Sequence, residues 1–413
     1  MEYREIPDEA IAQVAKHIND RSNKKYSIPI VGVYDNSETP HIFEIIPFEE
    51  IDKSESSFYA VDGSYNSQEF YNGLSLAVYS AGYICYHRGK QIRLNELDDP
   101  IILGKSYYPT TILLANTDDL YQVYDELINM EPINNFIYFC KETANNIFVY
   151  NREAVCQTVS SLLDFCQEIL EWSMIFEILN LNATKKGDFI LKDGTLRSLN
   201  VKQEFIVNLG RYAHSKGVYI VGITKKSPVK LELSYTLKQI DDYLQDELKP
   251  KYPFKEKTYR KQKLCCWFEV PMQVLYGAYR GVSGNMFIKK SLTGGRGFGI
   301  FHVARLDYVE KLQNYDWLIS DLNIFDVMPE IDSEIRTTDL DTVEYIHSEL
   351  TRLTQEHYIL GYPYPLVDAH NFISLKRDFK EDVINRVKLN LYKDKRMDHI
   401  DIENLFIDSH DRF

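Results

Sequence analysis

The run Ser57-Phe-Tyr-Ala-Val-Asp-Gly-Ser64 decides the fold. A short segment of strand-forming apolar residues ends on an aspartate and breaks at a glycine. This predicts a buried strand that delivers the Asp62 carboxylate to a sheet edge, with Gly63 freeing the backbone to turn away. The same letters also describe an ordinary hairpin turn. A second copy of the device offers Asp62 a partner: Asp188-Phe-Ile-Leu-Lys-Asp-Gly-Thr-Leu196 again ends an apolar run in Asp193, Gly194 and Thr195. A long helix is expected over Arg152–Leu181, because Val155, Val159, Leu162, Leu163, Cys166, Ile169 and Leu170 recur at helical spacing. Glu177 lies near its end, 16 positions before Asp193, among Met174, Ile175, Phe176, Ile178 and Leu179. A carboxylate in such surroundings is costly unless it is paired or bound to a cation. Two strand-end aspartates and a helix-borne glutamate meeting at one point would repel one another unless divalent cations lay between them.

Working outward, a helix at Val201–Ser215 and a strand at Val218–Thr224 follow the second acid. Strand, helix, strand at this spacing reads as a parallel crossover, which puts Lys225 and Lys226 on the same rim as Asp193. Basic groups beside an acidic cluster suit phosphate held over metal, although a solvated strand end is the plainer reading. Arg197, just past Asp193, joins them as a basic candidate. After Asp62, strands at Gly73–Ala81 and from Ile84 to Arg93 predict an antiparallel meander. An insertion around 94–150 offers a strand-like Thr111–Ala115, a helix at Asp118–Met130 and a strand-like Phe136–Cys140.

Nearer the amino terminus, Ile11, Val14, Ala15 and Ile18 mark an amphipathic helix over residues 8–18, set to pack on the main body or a partner. Strand-like pieces at Ile28–Val33 and His41–Ile46 follow it. Residues 249–263 gather seven basic residues with interleaved aromatics. Of these, Lys255, Lys257, Arg260 and Lys261 are candidates for a nucleic-acid backbone, or simply for a solvated loop. Glycines 294, 295 and 297 read as a turn before a strand at Phe298–Leu306, and no Walker sequence is present. Near the carboxyl end, Val343, Ile346, Leu350 and Leu353 mark a helix. The prolines of Gly361-Tyr-Pro-Tyr-Pro-Leu-Val-Asp-Ala-His-Asn371 then lead into another that bears His370. The tail from Lys376 reads as a helix followed by a partner-binding or flexible end.

Composition bounds these readings. The 413 residues, 44% hydrophobic and 26% charged, form a globular chain with no disordered class in view. A net charge of −14 argues against a general nucleic-acid coat. The high tyrosine and phenylalanine content fits core and strand packing. Cys85, Cys140, Cys156, Cys166, Cys265 and Cys266 form no C-x-x-C pair and fit reduced thiols. An acidic amino terminus without an apolar run, and no stretch of membrane-spanning length, point to the cytoplasm and to no membrane contact.

In order, Ala60-Val-Asp-Gly-Ser64, Glu177, Leu191-Lys-Asp-Gly-Thr-Leu196, Val221-Gly-Ile-Thr-Lys-Lys-Ser227 and Gly361-Tyr-Pro-Tyr-Pro-Leu-Val-Asp-Ala-His370 resemble the NurA nuclease family. The resemblance implies an α/β fold with an RNase H-like mixed sheet flanked by helices. The nuclease domain would span 51–375, with a partner segment at 1–50 and a helix and tail at 376–413. It also implies a manganese-dependent (or magnesium-dependent) 5′-to-3′ DNA exonuclease with single-strand endonuclease activity. Such an enzyme would act in end resection and repair as a homodimer with the hexameric HerA translocase. Position by position, Asp62, Glu177 and Asp193 match the family's metal-binding acids, and His370 its carboxy-terminal histidine, a metal ligand or an aid to the leaving group. Lys225 matches a lysine after the third motif strand, and Tyr362 an aromatic upstream of the histidine. Thr195 stands where serine is common. Two Mn²⁺ or Mg²⁺ ions on hard oxygen ligands would activate water and stabilise a leaving 3′-oxygen. Another RNase H-like nuclease, resolvase or Argonaute-like, or a non-catalytic adaptor of an ATPase are the other readings.

Overall fold

In the computed structural model of the chain, the described residues are 7–25, 43–46, 54–92, 104–107, 112–114, 117–224, 227–243, 265–269, 274, 300–306, 324–327, 340–354, 362–374, 377–394 and 396–407. They open with helix α1 (Asp8–Ser22) and strand β1 (Phe43–Ile46). The hairpin of β2 (Ser57–Glu69) and β3 (Ser75–His87) follows, then short strands β4 (Lys90–Ile92), β5 (Gly104–Tyr107) and β6 (Ile112–Leu114). Helices α2 (Thr117–Ile128), α3 (Glu131–Cys140), α4 (Ala144–Ile147), α5 (Arg152–Val155) and α6 (Val159–Asn180) lead to strand β7 (Phe189–Asp193). Next are helix α7 (Gln203–Ser215), strand β8 (Tyr219–Thr224), helices α8 (Pro228–Glu232) and α9 (Ser234–Tyr243), and strands β9 (Cys265–Glu269), β10 (Ile300–Arg305) and β11 (Ile324–Val327). Helices α10 (Leu340–Arg352), α11 (Tyr364–Ile373), α12 (Arg377–Asp394) and α13 (His399–Leu405) close the chain.

These elements divide into two compact units. One comprises Glu55–Asp193, Arg197–Ile220 and Pro365–Phe413. Its sheet runs in the order β8-β7-β2-β3-β4, with β5 and β6 also paired to β3. Because β2 is parallel to β7 and antiparallel to β3, the sheet is mixed, and with its helices the fold is α/β. Helix α6 packs on β2 and β3, and α3 lies against it. Its sequence is apolar nearly all round, as a helix covered on more than one side must be. Phe58 stacks on Phe189 at 5.0 Å across the parallel pair, so neighbouring strands share one core.

The other unit comprises Met1–Ser54, Gly194–Leu196 and Val221–Tyr364. There β1, β9, β10, β11 and the end of β8 pair antiparallel in turn. Buried Trp267 stacks on His347 at 5.0 Å, and His302 meets Trp267 edge-on at 5.0 Å. Helix α1 is tied by Lys24 and Arg21 to the buried Glu232, at 2.6 and 3.7 Å. Its apolar positions Ile11, Val14 and Ile18 stay exposed, so ion pairs rather than burial of that stripe hold it.

Several sequence expectations are corrected. The strand of Asp62 does not end at Gly63 but continues to Glu69, paired residue for residue with β3. The turn comes at Tyr71-Asn72-Gly73, where Gly73 adopts a positive φ of 82°. For the same reason the two strands expected at Gly73–Ala81 and Ile84–Arg93 are mainly one, since β3 is buried from Ser75 to Tyr86 and leaves no place for a break at Gly82. The strand-like Phe136–Cys140 is helical: Pro132 sits in the first turn of α3, and Ile133 and Phe136 bury one face. The long helix is two, because the Thr158 hydroxyl accepts from the Ser161 N–H at 3.0 Å and caps a new start. Past its expected helix the tail forms another, α13, among the described residues. Ile384 of α12, Ile402 of α13 and Phe406 join Phe70 and Leu76 of the hairpin in a separate apolar cluster.

Cys85, Cys140, Cys156 and Cys166 are free thiols, and burial pushes Cys85 up to about 12. Among the described residues no helix is long and apolar enough to cross a membrane. The pieces at Ile28–Val33, the basic stretch 249–263 and the glycines 294–297 lie outside the described residues.

Candidate metal centre

The parallel register of β2 and β7 brings the two Asp-Gly pairs together. Phe58 faces Phe189 and the pairing runs on to Val61 and Lys192, so Asp62 and Asp193 occupy the next step on neighbouring strands. Adjacent positions of a parallel pair share a face of the sheet, and the carboxylates therefore point the same way. The two glycines have different reasons to be there. At Gly194 a φ of 110° turns the chain off β7. Gly63 stays in its strand, but a Cβ there would lie 2.6 Å from Gln167 Cγ and 2.7 Å from Glu171 Oε1, so glycine lets α6 come this close without displacing those side chains.

His370 arrives on α11. That helix is held to β3 by the Tyr86 hydroxyl, which donates to Asp368, and by Ser80 Oγ, which donates to the Ile373 carbonyl at 3.0 Å. His370 Nδ1 then lies 2.8 Å from Asp62 Oδ2, while Asp62 Oδ1 accepts from the Gly63 N–H at 2.8 Å. Asp62, Asp193 and His370 each offer a ligand atom within 4.8 Å of the others. The three are graded from buried Asp62 through half-buried Asp193 to exposed His370, so the group opens outward at the histidine.

The electrostatics favour a proton or a cation at Asp62. Burial, and then the charges of Glu171 and Asp193, raise Asp62 from 3.8 to about 6, against the opposing hydrogen bonds from His370 and Gly63. Two carboxylates and an imidazole are a donor set for a divalent first-row ion or magnesium. The residues present therefore fit a bound metal.

The structure gathers only part of the expected set. Glu177 is half-buried and accepts a hydrogen bond from the Tyr83 hydroxyl at 3.0 Å, outside the three-ligand group. The acid of α6 that does reach the cluster is Glu171, six residues or about 9 Å earlier along the helix axis. Its sequence context, Leu170-Glu171-Trp172, is an acid in an apolar helical stretch, as is that of Glu177, and a lysine stands inside the apolar run of β7. Arg197 is buried rather than part of an exposed basic surface. Tyr362 is buried in the other unit. Lys225, Lys226, Lys255, Lys257, Arg260 and Lys261 lie outside the described residues.

Residues 56–375 match the family model of the NurA domain. No curated protein matches the chain. Among solved structures, the chain is similar to the crystal structure of the NurA nuclease from Sulfolobus solfataricus, at 13% identity over 94% of this chain and 95% of that one, with a TM-score of 0.41.

Proposed function

Because the chain belongs to the NurA family, we propose that it is a divalent-metal-dependent deoxyribonuclease whose centre is Asp62, Asp193 and His370. The observation that carries this reading is the convergence of those three side chains from two strands and a helix. A bound Mn²⁺ or Mg²⁺ ion supplies Lewis acidity toward the phosphodiester and lowers the pKa of bound water.

The chain's own groups do the rest. Asp62 is fixed from both sides by the Gly63 N–H and by His370, which holds its carboxylate in place to coordinate. Asp193 sits at the end of β7, half-exposed, between the buried acid and the opening. His370, outermost of the three, is where an incoming phosphodiester would meet the centre, and its imidazole would either coordinate the ion or pass a proton to the leaving oxygen. Acid-bearing strands lying side by side and parallel support the RNase H-like reading of the sheet. The 5′-to-3′ exonuclease polarity, the single-strand endonuclease activity, DNA end resection, the HerA-type hexameric ATPase, the homodimer and the cytoplasmic setting rest on the family resemblance.

The test uses purified full-length protein on single- and double-stranded DNA labelled at either end, with Mn²⁺, Mg²⁺ or chelator, alone and with a hexameric ATPase that co-purifies. Cleavage that requires the metal, with products ordered from the 5′ end, is expected. Cleavage indifferent to chelator would overturn the proposal.

A further inference from the structure

The same cluster contains a cation of its own. Lys192, buried in β7, places Nζ 2.6 Å from Glu171 Oε2 and donates to the Asp193 carbonyl at 3.2 Å. Glu171 is buried as well, and its second oxygen, Oε1, accepts from Gln167 Nε2 at 3.0 Å. The same amide donates to the Gly63 carbonyl at 3.0 Å, which ties the arrangement to the backbone beside Asp62. Both oxygens of Glu171 are thus engaged by chain groups. The Trp172 ring centroid lies 5.9 Å from the ammonium. Glu168, another acid near Lys192, is engaged elsewhere, by Ser198, Leu199 and Asn200.

The strand alternation separates these groups from the three ligands. Lys192 is the register partner of Val61, so it shares the face opposite Asp62 and Asp193, the face to which Gly63 admits α6. We infer that the Lys192 ammonium takes the place of a second metal at Glu171, so that this acid cluster binds one divalent ion rather than two. The inference rests on the reading of Asp62, Asp193 and His370 as the metal centre. On its own face Lys192 neutralises Glu171, which leaves Asp62 and Asp193 on the other face to a single divalent ion.

The experiment is a calorimetric titration of metal-free full-length protein with MnCl₂. One ion per chain is expected for wild type, two for Lys192→Met, and one again for the double variant Lys192→Met with Glu171→Gln, which removes the vacated carboxylate together with the ammonium. Two ions bound by wild type would overturn the inference while leaving the metal centre intact, and this arm needs no variant to fold. One ion in folded Lys192→Met would also overturn it. No binding by wild type would sink the metal centre and the inference together.

Discussion

Asp62 shows what burying an acid among other acids costs a fold. Its proton is held more tightly in the folded chain, with the pKa raised from 3.8 to about 6 by burial and two neighbouring carboxylates. The stability that this proton contributes is complete below about pH 4 and is lost as pH rises through about 6. The difference corresponds to about 3 kcal/mol by pH 7. Urea denaturation of the metal-free protein is expected to show that fall, and Asp62→Asn to lack it, so that the variant exceeds wild type at pH 7 but not at pH 4. Curves that stay parallel across the range would contradict this account of the acid cluster. The residue itself was legible: an aspartate ending an apolar run, repeated at Asp193, is a sequence signal. Glu171 and Glu177 look alike in the sequence, because both sit in apolar stretches of one helix. Only the approach of α6 to Gly63 separates them, and that depends on tertiary packing.

At the scale of elements, the two Asp-Gly pairs look alike in sequence and differ in cause. Gly194 turns the chain, as the letters suggest, whereas Gly63 makes room for a helix in the middle of a strand that periodicity alone cannot show to continue. A cross-strand ladder of thirteen pairs outweighs the turn propensity of Gly63 and Gly82. Gly222 in β8 has a third reason: a Cβ there would lie 2.6 Å from the Gly194 carbonyl oxygen and 3.0 Å from the Leu196 amide nitrogen. Those obstacles are backbone, while at Gly63 they are side chains that can shift. Gly63→Ala is therefore expected to cost about 1–3 kcal/mol, within the overpacking range, and Gly222→Ala more. Chemical denaturation of both variants checks the order, and the reverse ranking would contradict this reading of the contacts. Helix α3 is ambiguous in the sequence for a related reason, since Phe136–Cys140 is short and apolar enough to fit either period until Pro132 and the burial of Ile133 are considered together.

Over the whole molecule, the α/β pattern and the order of acid-bearing strands follow from alternating apolar runs and helical stripes. The packing of the tail does not, because its charged helices contribute only scattered apolar residues to a cluster completed by the hairpin tip. Phe406 meets Phe70 edge-on at 5.1 Å, and Phe406→Ala is expected to cost about 3 kcal/mol, measured by thermal or urea unfolding. A change below 0.5 kcal/mol would mean that the tail is not part of the folding unit. The central claim concerns three residues from β2, β7 and α11 acting as one metal centre on DNA. It is tested most directly by the rate of Mn²⁺-dependent release of nucleotides from end-labelled DNA by wild type, Asp62→Ala, Asp193→Ala and His370→Ala, each shown to be folded. A loss of at least about a hundredfold in both aspartate variants, and at least about tenfold in His370→Ala, is expected of lost metal ligation. Wild-type rates in either aspartate variant would contradict the account.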